Sequence, residues 1–185
     1  MPIPCRGRQQ RQSLSFAHEG HECRRNSRVT GLLTANARAA VRAMLHPRSI
    51  AIIGASPDSN KLNGRPLHFL RRDGYAGAIW PVNPRYADID GLECYPEIAA
   101  LPAVPDLAII AVAAARVGET IAALGAKGCP VAVVFSSGFA ELGLEGKALE
   151  RSLLATARAN GVRICGPNTL GLVSAFDKAP ATFSQ

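Results

Sequence analysis

Residues 49–56 read Ser-Ile-Ala-Ile-Ile-Gly-Ala-Ser, and this stretch decides how the rest of the chain is interpreted. The run before Gly54 is short, apolar and rich in β-branched residues, which is typical of a strand buried on both faces. A glycine directly after such a strand permits a tight turn and a close approach of the backbone to a ligand. The stretch therefore predicts the first strand of a parallel sheet, followed by a turn suited to phosphate.

Downstream of this stretch, apolar strands alternate with helical segments. The predicted strands are 49–54, 78–82, 107–112, 131–136 and 162–165, and the predicted helices are 34–45, 66–73, 95–101, 115–127 and 145–160. This alternation indicates βαβ units with right-handed crossovers. We predict an α/β fold, a Rossmann-like parallel sheet of about five to six strands, flanked by helices on both faces.

The net charge of +7 is concentrated at one end of the 185-residue chain. Residues 1–48 hold nine arginines and two acids, whereas the remaining residues hold 12 basic and 12 acidic side chains. We predict a disordered basic tail over 1–33 and one folded domain over 34–185. An over-called start, with Met44 as the alternative, and an organellar transit peptide are other interpretations of the tail. A neutral domain does not favour nucleic acid as a partner.

Neither the cysteines nor the apolar runs indicate secretion or a membrane. Cys129 and Cys165 flank or lie within predicted buried strands, and no CxxC pair occurs, so we predict reduced core thiols and a cytoplasmic protein. No apolar run approaches the ~20 residues of a membrane span. His18, His21 and Cys23 lack a fourth ligand, and we predict no metal site.

Ligands of doubly wound sheets bind beyond the carboxyl ends of the strands, so the residues that follow each strand are the candidates. After the first strand, Gly54, Ala55, Ser56 and Ser59 form either a phosphate cradle or an ordinary turn, because only one glycine of a GxGxxG motif is present. The Asn83-Pro84-Arg85 segment follows the second strand without the acid of an NAD site. Arg85 suits the 2′-phosphate of NADP or the 3′-phosphate of coenzyme A, or it is a solvated loop residue.

The later strand ends offer further candidates. Ala113 and its neighbours are small enough for a ligand to lie against the backbone. Ser136, Ser137 and Gly138 form a turn with two hydroxyls, and Asn168 either bonds a ligand or holds its own turn. No nucleophile–histidine–acid set accompanies them, so we predict no catalytic residue in this chain. Beyond Asn168, the chain is expected to hold at most one more extended piece.

Five stretches in this order and spacing together resemble one family. They are RSIAIIGAS (48–56), AIWPVNPRY (78–86), YPEIAALPAVPDLAIIAV (95–112), VVFSSGFAELGLEG (133–146) and ARANGVRICGPNTLGL (157–172). The chain resembles, over about residues 38–185, the CoA-binding domain of NDP-forming acyl-CoA synthetases, which are relatives of the succinyl-CoA synthetase alpha subunit.

The resemblance implies a ligand and an arrangement of contacts. The ligand would be coenzyme A or an acyl-CoA, with its phosphates at the Ser56–Ser59 turn and its adenine-ribose end near Asn83 and Arg85. The pantetheine arm would lie along Phe135, Ser136, Ser137 and Gly138, and Asn168 would face the acyl-phosphate chemistry. The complete set of cofactor-binding residues we predict is Gly54, Ala55, Ser56, Ser59, Asn83, Pro84, Arg85, Phe135, Ser136, Ser137, Gly138 and Asn168.

The chain departs from the family pattern in two residues and in length. Thr169 stands where the family usually has cysteine, and Ala113 where it often has proline. The phosphorylated histidine and the ATP-grasp unit of the full synthetases would lie beyond residue 185 or on a partner chain, so the C-terminal end is expected to be truncated relative to the family. A stand-alone CoA-binding regulatory module and a NADP-binding Rossmann module are the alternatives.

Overall fold

A computed structural model describes residues 35–184, with side chains from Ala37 onward. The predicted basic tail (1–33) and the cluster of His18, His21 and Cys23 lie outside the described residues. In chain order, the elements are α1 (Ala35–Leu45), β1 (Ser49–Ile53), α2 (Arg65–Arg72), β2 (Ala78–Val82), β3 (Asp88–Ile89), β4 (Leu92–Glu93), the 3₁₀ helix η1 (Ile98–Ala100), β5 (Leu107–Ile110), α3 (Ala114–Lys127), β6 (Val131–Val134), the 3₁₀ helix η2 (Ala140–Leu142), α4 (Leu144–Ala159), β7 (Arg163–Cys165), β8 (Gly171–Ser174) and β9 (Ala179–Thr182).

Five of these strands form one parallel sheet in the order β2–β1–β5–β6–β7. In β1, Ile50 pairs with Ile79 of β2 on one side and with Leu107 of β5 on the other. Every residue of β1, β5 and β6 is buried, as expected for strands covered on both faces. The predicted α/β class with a parallel sheet of about five to six strands is confirmed.

Both faces of the sheet are covered, and alternate residues of each strand supply the two halves of the core. On one face Ile52 packs in a cluster with Leu67 of α2 and Ala181 of β9, and α1 contributes to the same cluster. On the other face the core includes Ile121 of α3 and Leu153 of α4. Each buried leucine or isoleucine contributes about 1.5–3 kcal/mol to folding, so the two helical layers hold the sheet between them.

The helix predicted over residues 95–101 is wrong. Only Ile98–Ala100 is helical, as one 3₁₀ turn, and Leu101 is extended because Pro102 follows it. At the other end of the segment, Tyr95 pairs with the outer edge of β2: its N–H donates to the carbonyl of Pro81, and its carbonyl accepts from Asn83 N–H, both at 2.9 Å. Backbone pairing and proline together leave no room for an α-helix.

Two short antiparallel hairpins accompany the main sheet. The pair β3–β4 was not predicted, although Asp90 and Gly91, with φ of 53° and 79°, form the Asp-Gly turn that is typical of hairpins. Near the end of the chain, the structure has the two strands β8 and β9 where the sequence predicts one extended piece at most. All four residues of β9 are buried, so this hairpin closes the α1/α2 face of the core.

The cysteines of the described region are free thiols. Cys94 and Cys129 are buried and Cys165 is half-buried, and burial raises the pKa of Cys129 to about 11. The Cys129 thiol therefore stays protonated at neutral pH. None of the helices in the described region is both long and apolar enough to span a bilayer.

Side-chain hydrogen bonds connect the β8–β9 hairpin to the C-terminal end of α1. The Ser174 hydroxyl donates to the carbonyl of Leu45 at 2.6 Å, which satisfies an acceptor at the C-terminal end of the helix. Close by, His46 Nδ1 donates to the Asp177 carboxylate at 2.7 Å. Ser174 is itself buried, and its bond to Leu45 is partly buried.

Replacing Ser174 with alanine should lower the free energy of unfolding by about 1–2 kcal/mol, because the Leu45 carbonyl loses its partner. Urea unfolding followed by circular dichroism measures this change. Ser152→Ala, on the exposed side of α4, is the matched control and should stay within about 0.5 kcal/mol of the unaltered chain. Equal effects of the two substitutions would show that the hairpin does not depend on the Ser174 bond.

Candidate functional site

A cleft of about 580 Å³ opens at the carboxyl ends of β1, β2 and β5. The chain leaves β1 toward β2 and later returns to β5 on the opposite side of β1, so the connections diverge here. This point of reversal is where doubly wound sheets bind their ligands, and the volume lies in the range of small-molecule sites. The cleft is therefore the candidate functional site.

Gly54 forms the floor of the cleft where the chain turns out of β1. Its φ is +87°, and its N–H donates to the carbonyl of Val82 at 2.8 Å. A Cβ atom at this position would lie 2.7 Å from the carbonyl oxygen of Ala111, which follows β5. Only glycine combines this φ with so close an approach of two backbone segments.

Two amide side chains fix the turn after Gly54. The Asn63 amide donates to the Gly54 carbonyl at 2.7 Å, and the Asn83 amide donates to the Ala55 carbonyl at 2.7 Å. Asn63 also lines the cleft, together with Asn83 and Gly54, whereas Ala55 is fully buried beneath it. Sequence reasoning included Asn83 but missed Asn63, which precedes α2 by two residues and folds back onto the turn.

The loop over residues 56–61 is held largely by its own hydrogen bonds. Ser56 is buried, and its hydroxyl accepts from Asp58 N–H at 3.2 Å. The N–H groups of Ser56, Asn60 and Lys61 also donate to acceptors in or beside the loop. Ser59 is exposed and does not line the cleft. In this conformation most of these N–H groups are occupied, whereas Gly54 lines the cleft.

Beyond β2, the segment Asn83-Pro84-Arg85 forms one wall of the cleft. The Asn83 side-chain oxygen accepts from Arg85 N–H at 3.0 Å, which fixes the direction of the chain. Arg85 is exposed, and its guanidinium has no ion-pair partner among residues 37–184. It is available to an anionic ligand.

The opposite wall was not predicted beyond Ala113. It consists of Glu97, which directly precedes η1, and of the first turns of α3, which contribute Arg116, Glu119 and Thr120. The Thr120 hydroxyl donates to the Arg116 carbonyl at 2.8 Å. A signal for Arg116 existed, because it lies in the first turn of the helix after a central strand.

The remaining predicted residues lie at the same edge of the sheet but outside the cleft, beyond β6 and β7. The Ser136 hydroxyl donates to the carbonyl of Val112 at 2.6 Å, and Val112 lines the cleft. Asn168, with φ of 52°, donates its N–H to the Ser136 carbonyl at 3.0 Å. Ser136 therefore links the cleft to the turn that follows β7, and Ser137 beside it is exposed.

Two features of the β6 turn limit how a ligand could contact it. Gly138 donates its N–H to the carboxylate of Glu141 at 2.6 Å, and this bond lowers the pKa of Glu141. The ring of Phe135 is buried on the α1/α2 face of the sheet, edge-on to Phe183 with centroids 4.9 Å apart. Of the four predicted residues that follow β6 (135–138), only Ser137 is exposed.

The arrangement is suited to binding. Neither His46 nor His68 lines the cleft, and His46 is paired with Asp177 beside the C-terminal end of α1. In residues 37–184 no three histidine, cysteine or carboxylate side chains are grouped closely enough to hold a metal ion. Arginines on both walls, backbone at the floor and apolar residues between them match an elongated anionic ligand.

Gly54→Ala should destabilise the protein more than Gly74→Ala, since both positions have positive φ but only Gly54 faces a clash. A methyl group added at Gly74 would have nothing within 4 Å, so this substitution should cost about 1–2 kcal/mol of backbone strain alone. Gly54→Ala should cost about 1–2 kcal/mol more, as the turn moves away from Ala111. Urea unfolding compares the two, and equal losses would mean that the approach to Ala111 relaxes freely.

Residues 48–175 match the family described as the CoA binding domain. The chain is 40% identical over 142 residues to "Acetate--CoA ligase [ADP-forming] I" of Archaeoglobus fulgidus, covering 77% of this chain and 20% of that protein. It is 39% identical over 147 residues to "Acetate--CoA ligase [ADP-forming] I subunit alpha" of Pyrococcus furiosus, covering 77% of this chain and 32% of that subunit. The chain thus spans about a fifth to a third of the length of these relatives.

A solved structure agrees with the sequence relatives. The apo form of "dinucleotide forming Acetyl-coenzyme A synthetase 1" of Ca. Korarchaeum cryptofilum superposes with a TM-score of 0.74 and 35% identity, covering 78% of this chain and 31% of that one. The resemblance and the coenzyme A ligand expected from the sequence are confirmed at the level of the family. The chain belongs to the CoA binding domain family.

Proposed function

We propose that this chain is the coenzyme A-binding part of an NDP-forming acid–CoA ligase of the acetate–CoA ligase (ADP-forming) type. The observation that carries the proposal is the cleft at the point of reversal, where Gly54 brings the backbone close and Arg85 is unpaired. The family match indicates coenzyme A as the ligand. The cleft lies at the carboxyl ends of the strands, where doubly wound sheets bind their ligands.

Coenzyme A would lie along the carboxyl edge of the sheet. Its pyrophosphate would rest on the backbone at Gly54, and Arg85 would bind the phosphate on the ribose by charge-assisted hydrogen bonds. The adenine-ribose end would fill the cleft beside Asn83 and Pro84, whose positions there support this orientation. The pantetheine arm would then run past Ser136 and Ser137 toward Asn168.

The ligation itself would need parts outside residues 1–185. Coupling an acid to the thiol of coenzyme A consumes a nucleoside triphosphate, and the cleft provides one ligand site without a nucleophile. The relatives are three to five times longer than the matched segment. A phosphorylatable histidine and an ATP-grasp unit would be supplied by further domains or by a partner chain.

Exposed leucines at the edge of the site favour this role over a stand-alone module. Leu142, Leu144 and Leu170 follow β6 and β7, and they are 70%, 85% and 64% exposed. Large apolar side chains exposed beside a binding site are typical of surfaces covered by another protein part. A ligase in which a second domain meets the acyl end of coenzyme A explains their position.

Isothermal titration calorimetry with coenzyme A, dephospho-CoA and NADPH tests the ligand. We expect coenzyme A to bind well below millimolar, dephospho-CoA to bind more weakly, and NADPH to give no saturable heat. Binding of NADPH in that range with no response to coenzyme A or dephospho-CoA would replace this proposal with a NADP-binding module.

Substitution of Arg85 tests the orientation of the ligand. Arg85→Ala should weaken coenzyme A about five- to twentyfold and dephospho-CoA by less than about twofold, because only coenzyme A carries the ribose phosphate. Arg151→Ala removes an exposed arginine on α4, away from the cleft, and should change neither affinity. Equal losses for both ligands would remove Arg85 from the phosphate site.

A further inference from the structure

We infer that Arg116 is a second cation for the ribose phosphate of coenzyme A, which it would bind together with Arg85 from the opposite wall of the cleft. The inference rests on the proposed function and adds to it a residue that decides between coenzyme A and its unphosphorylated form. It is drawn from the placement of Arg116 in the structure and from the charges around the cleft.

The topology places the two arginines on either side of one strand end. Arg85 follows β2 and Arg116 lies in the first turn of α3, which follows β5, while β1 runs between them and ends at Gly54. Both side chains line the same cleft. A phosphate bound between the two walls therefore has one guanidinium available from each of them.

Within the described region, neither arginine of the cleft is held in an ion pair that a phosphate would have to break. Arg48 and Arg72 each pair with a carboxylate, whereas Arg85 and Arg116 have no ion-pair partner among the described residues. A phosphomonoester carries about −1.5 to −2 charges at pH 7, enough to balance two guanidinium groups. Guanidinium is also the side-chain group best matched in shape to phosphate oxygens.

The N-terminal end of α3 adds positive potential on the side of the cleft where Arg116 lies. The helix runs for 14 residues, and its N-cap, Ala113, makes no side-chain capping bond, although the Arg116 N–H donates to the Ala113 carbonyl at 2.9 Å. The positive end of the helix dipole therefore lies beside Arg116. Glu119, about one turn further along α3, and Glu97, directly before η1, also line the cleft. These carboxylates would repel phosphate, which would therefore bind nearer to the two guanidinium groups than to Glu97 and Glu119.

Calorimetry on the full chain tests the inference with four ligands: coenzyme A, dephospho-CoA, adenosine 3′,5′-bisphosphate and adenosine 2′,5′-bisphosphate. Arg116→Ala should weaken coenzyme A and the 3′,5′-bisphosphate about five- to twentyfold while changing dephospho-CoA by less than about twofold. Arg116→Lys should recover part of the loss because it keeps the charge. The 2′,5′-bisphosphate should bind the unaltered chain more weakly than its 3′,5′ isomer.

Arg151→Ala is the control for loss of one exposed arginine, and thermal unfolding confirms that each variant is folded. If Arg116→Ala leaves the affinity for coenzyme A unchanged, or weakens coenzyme A and dephospho-CoA equally, Arg116 does not bind the ribose phosphate. That result leaves the proposed function intact wherever the unaltered chain binds coenzyme A. Absence of coenzyme A binding by the unaltered chain would overturn both proposals.

Discussion

At Gly54 the turn after β1 comes so close to the carbonyl of Ala111 that any larger residue would displace it. This approach joins the ends of the two strands between which the chain reverses direction, and the cleft exists because both ends are held there. Asn63 and Asn83 secure the turn from two sides, through carbonyls that would otherwise lack partners. The two walls of the cleft, which carry Arg85 and Arg116, are thereby held in fixed positions relative to Gly54.

Most of the fold was predictable because its central strands are apolar along their whole length. Ser49–Ile53 and Leu107–Ile110 are buried on both faces, and this pattern is visible in sequence without any knowledge of their neighbours. The segment 95–101 was misread because its composition favours a helix, while its actual state depends on pairing with β2 and on Pro102. The β8–β9 hairpin was underestimated for a similar reason, as its burial comes from contacts with α1 and α2.

Sequence predicts a site residue when its place after a strand is enough to locate it. It does not predict whether the side chain of that residue points to the site or into the core. Gly54 and Arg85 directly follow strands, so the rule for doubly wound sheets locates them. Phe135 also follows a strand, yet its ring turns into the core against Phe183. Asn63 comes from a loop, and only the packing of that loop brings it to the cleft, whereas Arg116 lies in the first turn of the helix after β5, a position that the sequence does indicate.

The buried strand β9 shows that the family match and the folded domain end at different residues. The family match ends at residue 175, but Ala179–Thr182 is fully buried and completes the layer formed with α1 and α2. The match also begins at residue 48, after α1 has ended. The folded domain is thus longer at both ends than the segment that the family model matches.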